Sequence, residues 1–354
     1  MSRLSLPGVV DAHVHLREPG AAYKEGILLG TTAALAGGVI AVFDMPNNTP
    51  PIVDRRTLDR KRRLFEDQAV SDYGLFLGYD GGDVEALEEL ADEVVGLKLY
   101  LDETFGDMTT SVPGSLEEVF EAWPGPGPIA VHAESDSIVV ALGLAERHGQ
   151  RLHVCHVPHP DDLLVIDAAR QRGLDVTCEV TPHHLFLSKE SAAELGAFGH
   201  MKPPLVSSAD VDLFWKRLDL VDIVASDHAP HTRKEKNSSS PPPGVPGLET
   251  LLPLLLRAVD EERLTFDRFE EMTYHKPLAI YGRCGPEDTK IEVVLEGAYR
   301  LSDRGYETRC DWSPFRGQWA LGRVQKVRLR GASVWEEGKL LVSPGYGRPL
   351  RSCN

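Results

Sequence analysis

Two histidines near the start of the chain, His13 and His15, stand two positions apart in the segment V-D-A-H-V-H-L-R-E-P-G. Residues two apart on a β-strand point to the same face, and neutral imidazole is a common ligand of zinc and similar metals. A strand here predicts a chelating pair, although two core histidines would give the same spacing. Arg17 follows as a planar cation suited to holding a carboxylate, before Pro19 and Gly20 end the strand. We therefore expect a metal site beside an anion site.

Groups that can bind metals or substrates recur where later apolar runs end. The simpler interpretations are a core histidine, a helix-capping aspartate, a solvent-exposed carboxylate or a lysine paired with a carboxylate. Metal-compatible groups occur at six of the eight run ends, so we expect them to converge on one rim. The candidates are Asp44, Asn47, Lys98, His132, Cys155, His156, Glu179, Asp227 and His231.

Lys98 stands inside the apolar run G-L-K-L-Y-L. A buried ammonium without a partner costs several kcal/mol or more in free energy. The sequence therefore predicts that Lys98 is paired, uncharged or chemically modified.

Eight apolar runs alternate with helical patterns, which predicts a parallel (β/α)8 TIM barrel over residues 7–281. The chemistry of such barrels takes place at the carboxyl ends of the strands. The predicted strands lie near residues 8–15, 38–45, 71–79, 95–101, 128–133, 151–157, 175–181 and 222–227. The predicted helices lie at 24–36, 55–69, 83–94, 115–123, 137–147, 161–172, 208–218 and 249–262.

The pattern changes after Tyr281, and residues 282–354, together with 1–6, are predicted to form a small β-rich appendage. Its predicted strands are Lys290–Leu295, Ala320–Leu329 and Ser333–Val342, the last with a turn at Glu337-Gly338. Between strand eight and the helix at 249–262, the segment K-E-K-N-S-S-S-P-P-P-G-V-P-G is either a flexible linker or a loop that covers substrate.

The composition excludes several classes of protein. A net charge of −16 disfavours nucleic-acid and anionic-membrane partners. The start, M-S-R-L-S-L-P-G, lacks the apolar run of a signal peptide, and no run of about 18 apolar residues offers a membrane span. Five cysteines, without a C-x-x-C pair, favour a reducing cytoplasm over a disulfide framework. We expect a cytoplasmic protein.

Taken together, these residues carry a family resemblance. The H-x-H strand, the mid-barrel lysine, the later histidines and the strand-eight aspartate resemble the amidohydrolase superfamily. D-A-H-V-H-L-R-E-P-G and A-S-D-H-A-P-H-T look like the two signatures of dihydroorotases. The match continues through G-L-K-L-Y-L-D-E-T-F, C-E-V-T-P-H-H-L-F-L-S, P-P-P-G-V-P-G-L-E-T and S-P-G-Y-G. This pattern, which covers nearly the whole chain, resembles the dihydroorotase domains of the multifunctional animal pyrimidine-pathway proteins.

The resemblance implies a two-zinc centre bridged by a modified lysine. Lys98 would be carboxylated by carbon dioxide, and its carbamate would bridge the metals, which turns a costly buried cation into an anionic ligand. The animal-type enzymes further imply a third zinc. One zinc would bind His13, His15 and Asp227, the second His132 and His156, and the third would lie near Cys155 and Glu179.

The resemblance also implies a set of substrate-binding positions. In the loop 101–114, Thr104 would bind substrate and Phe105 would shield the site as a lid. Lys202 stands where the animal domains have an arginine, and lysine keeps the charge but loses the bidentate fork. The remaining matching positions are Arg17, Asn47, His231, Pro243 and Gly244.

The implied reaction is the reversible cyclisation of N-carbamoyl-L-aspartate to L-dihydroorotate, a step of de novo pyrimidine biosynthesis. A zinc-bridging hydroxide would attack the ring amide, and Asp227 would act as general acid and base. Two alternatives stay open: another cyclic amidase, such as a hydantoinase or allantoinase, and a non-catalytic homologue that scaffolds aspartate transcarbamoylase. We expect a homodimer that can associate with aspartate transcarbamoylase.

Overall fold

The computed structural model of the chain describes residues 2–82, 84–103 and 113–353. The strands are β1 Ser2–Leu6, β2 Val9–Val14, β3 Val39–Asp44, β4 Asp72–Gly78, β5 Gly96–Tyr100, β6 Ile129–His132, β7 Leu152–Val154, β8 Val176–Val180, β9 Ile223–Val224, β10 Lys290–Leu295, β11 Tyr299–Arg300, β12 Trp319–Ala320, β13 Arg323–Leu329, β14 Ala332–Glu336 and β15 Lys339–Leu340. The helices are α1 Ile27–Ala36, α2 Arg55–Gln68, α3 Glu85–Leu90, α4 Pro113–Ala122, α5 Asp136–His148, α6 Pro160–Gln171, α7 Pro182–Phe186, α8 Lys189–Leu195, α9 Ser208–Lys216, α10 Arg233–Lys236, α11 Leu248–Asp260, α12 Phe266–Glu270 and α13 Lys276–Ile280.

Eight parallel strands, β2 to β9, pair in sequence order to form the barrel sheet. Val14 and His228 bridge the first strand to the segment after β9, where the His15 amide donates to the His228 carbonyl oxygen at 2.8 Å. Nearly all strand residues are buried because helices cover the outer face and side chains fill the interior, which explains the continuous apolar runs. The predicted barrel and its eight strands are confirmed.

A second, antiparallel sheet has the strand order β1-β10-β13-β14-β15. The N-terminal strand β1 pairs with β10, so the chain start and the C-terminal region share this sheet. A two-residue turn, Glu337-Gly338, joins β14 to β15 with φ of 49° and 77°. Positive φ at both positions is typical of the turn type that tight hairpins favour. The predicted hairpin is confirmed, and the domain division at residue 281 stays a prediction.

The segment after the eighth strand is held in place by a buried lysine. Lys236 donates hydrogen bonds to the carbonyl oxygens of His200, Pro242 and Gly244 at 2.9, 2.9 and 3.0 Å. The flexible-linker interpretation of this segment is therefore wrong, because three carbonyl groups converge on one ammonium.

Two cysteines contradict the expectation of free thiols. Cys284 and Cys353 form a disulfide with their Cα atoms 5.1 Å apart, whereas Cys155, Cys178 and Cys310 are free and buried. The partners are 69 residues apart in sequence, so their spacing gave no sign of the contact. Within the described residues, none of the helices combines the length and apolar character needed to cross a membrane.

Candidate metal centre and active site

His13, His15 and Asp227 come together at the carboxyl ends of the first and last barrel strands. The Nε2 atoms of His13 and His15 lie 3.4 and 3.1 Å from Asp227 Oδ1. Asn47 Oδ1, 2.7 Å from His15 Nδ1, accepts that N–H and leaves Nε2 with its lone pair. The lone pair of His15 Nε2 and those of the Asp227 carboxylate repel each other unless a cation lies between them. The three side chains can hold a metal ion, as the sequence predicts.

The protonation states follow from this crowding. Burial alone would lower the pKa of His13, but the carboxylates of Glu179 and Asp227 raise it to about 10. Burial lowers the pKa of His15 to about 4, although the nearby Asp227 carboxylate opposes this shift. Although burial opposes it, the charge on His13 holds the pKa of the Asp227 carboxyl well below its usual range. A protonated His13 thus gives the Glu179 and Asp227 carboxylates the positive charge that a bound cation would otherwise supply.

His132 and His156 form a second pair at the ends of β6 and β7. His132 Nδ1 lies 3.0 Å from His156 Nε2, and burial lowers the pKa of both imidazoles. Lys98, at the adjacent β5, lowers these pKa values further through its charge. Its Nζ is fully buried and has no hydrogen-bond partner among the described residues. No carboxylate in the described part of the chain pairs with Lys98, which favours the uncharged or modified lysine among the three interpretations.

Glu179 is fully buried on β8 and is not a solvent-exposed edge residue. One carboxylate oxygen contacts His13 Nδ1 and accepts the His156 amide at 3.2 Å, and the other lies 3.2 Å from His153 Nε2. His13, Cys155 and Glu179 form a second group with the spacing of metal ligands. His13 belongs to both groups, since its two nitrogens face opposite ways.

Arg17, for which the sequence predicts an anion site, lies among polar groups. This guanidinium is buried, with Nη2 3.2 Å from His231 Nε2 and Nε donating to the Pro230 carbonyl oxygen at 3.3 Å. His231 Nε2 also lies 2.9 Å from the Pro243 carbonyl oxygen. The Arg17 cation therefore lines the same cavity as the candidate metal ligands His15 and Asp227.

Three residues of the site adopt backbone conformations that L-amino acids rarely take. The φ angles of Arg17, His156 and Asp227 are 63°, 32° and 44°. Such angles cost roughly 1–3 kcal/mol each and persist only where surrounding contacts enforce them. Each lies just after a barrel strand, and all three side chains line the cavity.

Asp44 supports the site without entering the cavity. It accepts the Leu16 amide at 2.8 Å and pairs with the buried Lys61 ammonium at 2.8 Å. Lys61 also donates to the Met45 carbonyl oxygen and to Asn48 Oδ1. The pair fixes the ends of β2 and β3, from which the metal-ligand candidates and Asn47 extend.

Lys202 lies at the cavity, where its Nζ pairs with Glu134 Oε1 at 2.9 Å. The same carboxylate oxygen lies 3.4 Å from His132 Nε2. Lys202 thus holds Glu134 beside the candidate metal ligand His132 at the edge of the cavity.

The cavity brings most of the predicted residues together. Lys98, Cys155, Glu179 and His231 lie beside or beneath it, and Thr104 and Phe105 lie outside the described residues. Sequence reasoning missed Tyr100, which follows Lys98 by two and therefore points to the same face. The cavity is lined by His13, His15, Arg17, Asn47, Tyr100, His132, His156, Lys202, Asp227, Ala229, Pro243 and Gly244.

Known proteins resemble the chain over nearly its whole length. Residues 4–124 match the Amidohydrolase family model. Multifunctional protein CAD of Squalus acanthias is 43% identical over 99% of this chain, which spans only 16% of that protein. Dihydroorotase of Halobacterium salinarum is 32% identical, with 98% of this chain and 89% of the relative covered. The solved structure of an L-hydantoinase from Arthrobacter aurescens has a TM-score of 0.92 at 26% identity, covering 98% and 89% of the two chains.

Proposed function

Because the chain belongs to the dihydroorotase family, we propose that it catalyses the reversible cyclisation of N-carbamoyl-L-aspartate to L-dihydroorotate with loss of water. This reaction is a step of pyrimidine biosynthesis. The observation that carries the proposal is that both halves of the site meet at one cavity. Arg17, which lies 3.2 Å from His231 and forms a carboxylate-binding corner with it, lines the same cavity as the candidate metal ligands His15 and Asp227.

We further propose two divalent cations, zinc in the first instance. The donor set fits them. The ligand atoms of His13, His15 and Asp227 lie within 4.8 Å of one another, and His132 and His156 meet beside Lys98, whose Nζ has no hydrogen-bond partner among the described residues. When bound, two such ions lower the pKa of a water molecule and polarise the amide carbonyl. A carbamate on Lys98 would give the second pair the anionic ligand that it otherwise lacks.

The chain's own residues then bind the substrate and move a proton. Arg17, Asn47 and His231 hold the carboxylate and so place the ring amide over the metal ligands. Asp227 keeps one oxygen towards His13 and His15 and has its second oxygen for the proton. In ring opening Asp227 removes a proton from the attacking water and delivers it to the leaving amide nitrogen, and in ring closure it does the reverse.

Comparing three cyclic amides tests the proposed function. The zinc-loaded protein is expected to convert dihydroorotate, and only weakly hydantoin and allantoin, because those two lack the carboxylate that Arg17 binds. Arg17→Gln should reduce the activity on dihydroorotate while leaving any residual activity on hydantoin unchanged. A metal-loaded protein that hydrolyses hydantoin but not dihydroorotate would establish the hydantoinase alternative, which the structural similarity to L-hydantoinase keeps open.

The loop that contains Gly244 packs closely against Ala229 and His231, which leaves no room for a side chain. A Cβ here would lie 2.6 Å from the Ala229 carbonyl oxygen and 3.1 Å from His231 Nε2, at a φ of +125°. Gly244→Ala should lower kcat/KM for dihydroorotate by about 10-fold or more, because sub-ångström displacement of a binding group is costly. Gly297→Ala is the control, since its φ is +98° with no neighbour within 4 Å. Equal kinetics in both variants would contradict the proposed close fit.

We also propose a third zinc at His13, Cys155 and Glu179, whose ligand atoms come within 4.8 Å of one another. A buried thiolate and a carboxylate are preferred zinc ligands. Metal analysis at saturating zinc should give three ions for the wild type and two for Cys155→Ser. Two ions in both proteins would instead make Glu179 a hydrogen-bonding partner of His13 and His153.

A homodimer is proposed through the neighbouring helices α5 and α6. Val139, Val140, Leu164 and Val165 are 57%, 51%, 47% and 40% exposed, and Gly143 leaves the same helix face open. An isologous contact would bury this apolar patch. Light scattering should give a dimer mass for the wild type and a monomer mass for Val140→Glu/Leu164→Glu. Leu341→Glu, at an exposed position of the C-terminal region, should stay dimeric; a monomeric wild type would contradict the proposal.

Association with aspartate transcarbamoylase remains a prediction from the family resemblance. Copurification of the two enzymes from the native source would test it. The experiment is motivated by the similarity of this chain to one part, 16% of the length, of a multifunctional protein.

A further inference from the structure

The carboxylate corner contains a buried lysine that the proposed reaction leaves without a role. Lys24 is 3% exposed, although it lies in the loop between β2 and α1. Its Nζ lies 3.1 Å from His231 Nδ1 and 3.0 Å from Glu235 Oε1. Burying an ammonium is costly unless the contacts that it makes compensate for the lost hydration, so these contacts call for a functional explanation.

Glu235 fixes the position of the Lys24 ammonium. One carboxylate oxygen of Glu235 accepts the backbone amide and the hydroxyl of Thr232, each at 2.9 Å. The other oxygen accepts the Tyr23 hydroxyl at 3.1 Å and faces Lys24. Lys24 is therefore anchored from one side and directed at the imidazole of His231 on the other.

An ammonium group only donates hydrogen bonds, so the contact with Lys24 requires a lone pair on His231 Nδ1. Burial, followed by the charges of Arg17, Lys24 and Lys236, holds the pKa of His231 well below its usual range, so the ring is neutral. A neutral imidazole carries one N–H, which must then be on Nε2. The carbonyl oxygen of Pro243, 2.9 Å from Nε2, is placed to accept it.

Because Arg17 lies close to His231, it matters which ring nitrogen of His231 carries the proton. Its Nη2, also a donor, lies 3.2 Å from His231 Nε2. With the proton on Nε2, the two groups present N–H bonds to the same region at the edge of the cavity. With the proton on Nδ1, Nε2 would accept from Arg17 and turn a lone pair towards any bound anion.

We propose that Lys24 is a positioning residue that holds His231 in its Nε2–H form, so that Nε2 neither accepts from Arg17 nor turns a lone pair towards the substrate carboxylate that Arg17 binds. The role in substrate binding rests on the proposed function, whereas the effect on the imidazole does not. Lys24 itself does not touch the substrate, and it acts through the side chain of His231.

Nitrogen-15 NMR of histidine-labelled protein tests the imidazole directly, with His231→Gln used to assign the signal among the 13 histidines. The wild type should show the proton on Nε2. In Lys24→Met it should move to Nδ1, because Nδ1 loses its donor and Nε2 can accept from Arg17. Lys24→Arg should retain the wild-type form. The same protonated nitrogen in wild type and Lys24→Met would overturn the proposal.

Kinetics then test the consequence for the substrate. Lys24→Met should raise KM for dihydroorotate by about 10-fold or more with a much smaller change in kcat, since ground-state binding of the carboxylate is what is lost. Lys234→Met, which removes an exposed charge nearby, should behave as wild type. In a His231→Ala background the Lys24 substitution should add little. An equal effect in that background would show that Lys24 does not act through His231.

The NMR measurement tests the effect of Lys24 on the His231 ring, and the kinetic measurement tests whether that effect matters for binding dihydroorotate. A wild type that does not convert dihydroorotate would overturn the proposed function, while a changed His231 tautomer in Lys24→Met would still support the positioning role. A changed tautomer with an unchanged KM in a protein that does convert dihydroorotate would overturn the role in carboxylate binding.

Discussion

Asp227→Asn is expected to lower kcat by about 10³-fold, within the range of roughly 10²–10⁴ that general acid–base groups contribute. The carboxylate is mostly buried, and neighbouring positive charge lowers its pKa although burial opposes this. In the loaded protein the cation held by His13 and His15 would supply that charge. Asparagine has nearly the same shape but cannot take up the proton. The proton transfer between water and amide nitrogen would then lose its carrier.

Measuring kcat together with zinc content separates the two roles proposed for Asp227. If the proton role dominates, the variant should retain much of its metal while losing turnover. Asp219→Asn provides a control, because it removes an exposed carboxylate from the same region of the chain. Activity within a few-fold of the wild type at full metal occupancy would assign the proton transfer to another group.

Lys98→Ala should lose the metal pair and nearly all activity. The Nζ of Lys98 is fully buried without a hydrogen-bond partner among the described residues, beside His132 and His156. A bare ammonium would repel two divalent cations strongly, whereas a carbamate would attract them. The alanine leaves space that a small carboxylic acid can occupy, so acetate or propionate should restore part of the metal binding and turnover.

Lys61 provides an internal control for the modification. It is as buried as Lys98, but its ammonium meets Asp44, the Met45 carbonyl oxygen and Asn48 at 2.8, 2.7 and 2.8 Å. Metal loading under ¹³C-labelled carbon dioxide should therefore label Lys98 and leave Lys61 unlabelled. An unmodified Lys98 in a crystal of the zinc-loaded protein would contradict the carbamate.

The sequence by itself determined the barrel, because burial on both faces requires continuous apolar strands and the helices between them repeat regularly. The sequence also determined that the candidate site residues gather at one end of the barrel. Parallel strands all present their carboxyl ends to one side, so His13, His132 and Asp227 had to approach one another even though more than 200 residues separate the first from the last. Strand periodicity could have revealed Tyr100 in the same way.

Only the tertiary structure decided which groups the side chains meet. Lys24 and Glu235 are 211 positions apart, and Glu134 and Lys202 are 68 apart, each joined by loops whose paths no local pattern predicts. Cys284 and Cys353 likewise meet only because the chain end returns to the barrel. Strand spacing fixes which face a residue takes, because it follows from backbone geometry. The hydrogen bond that sets the proton on His231 instead depends on packing between segments distant in sequence, which appears only once the chain has folded.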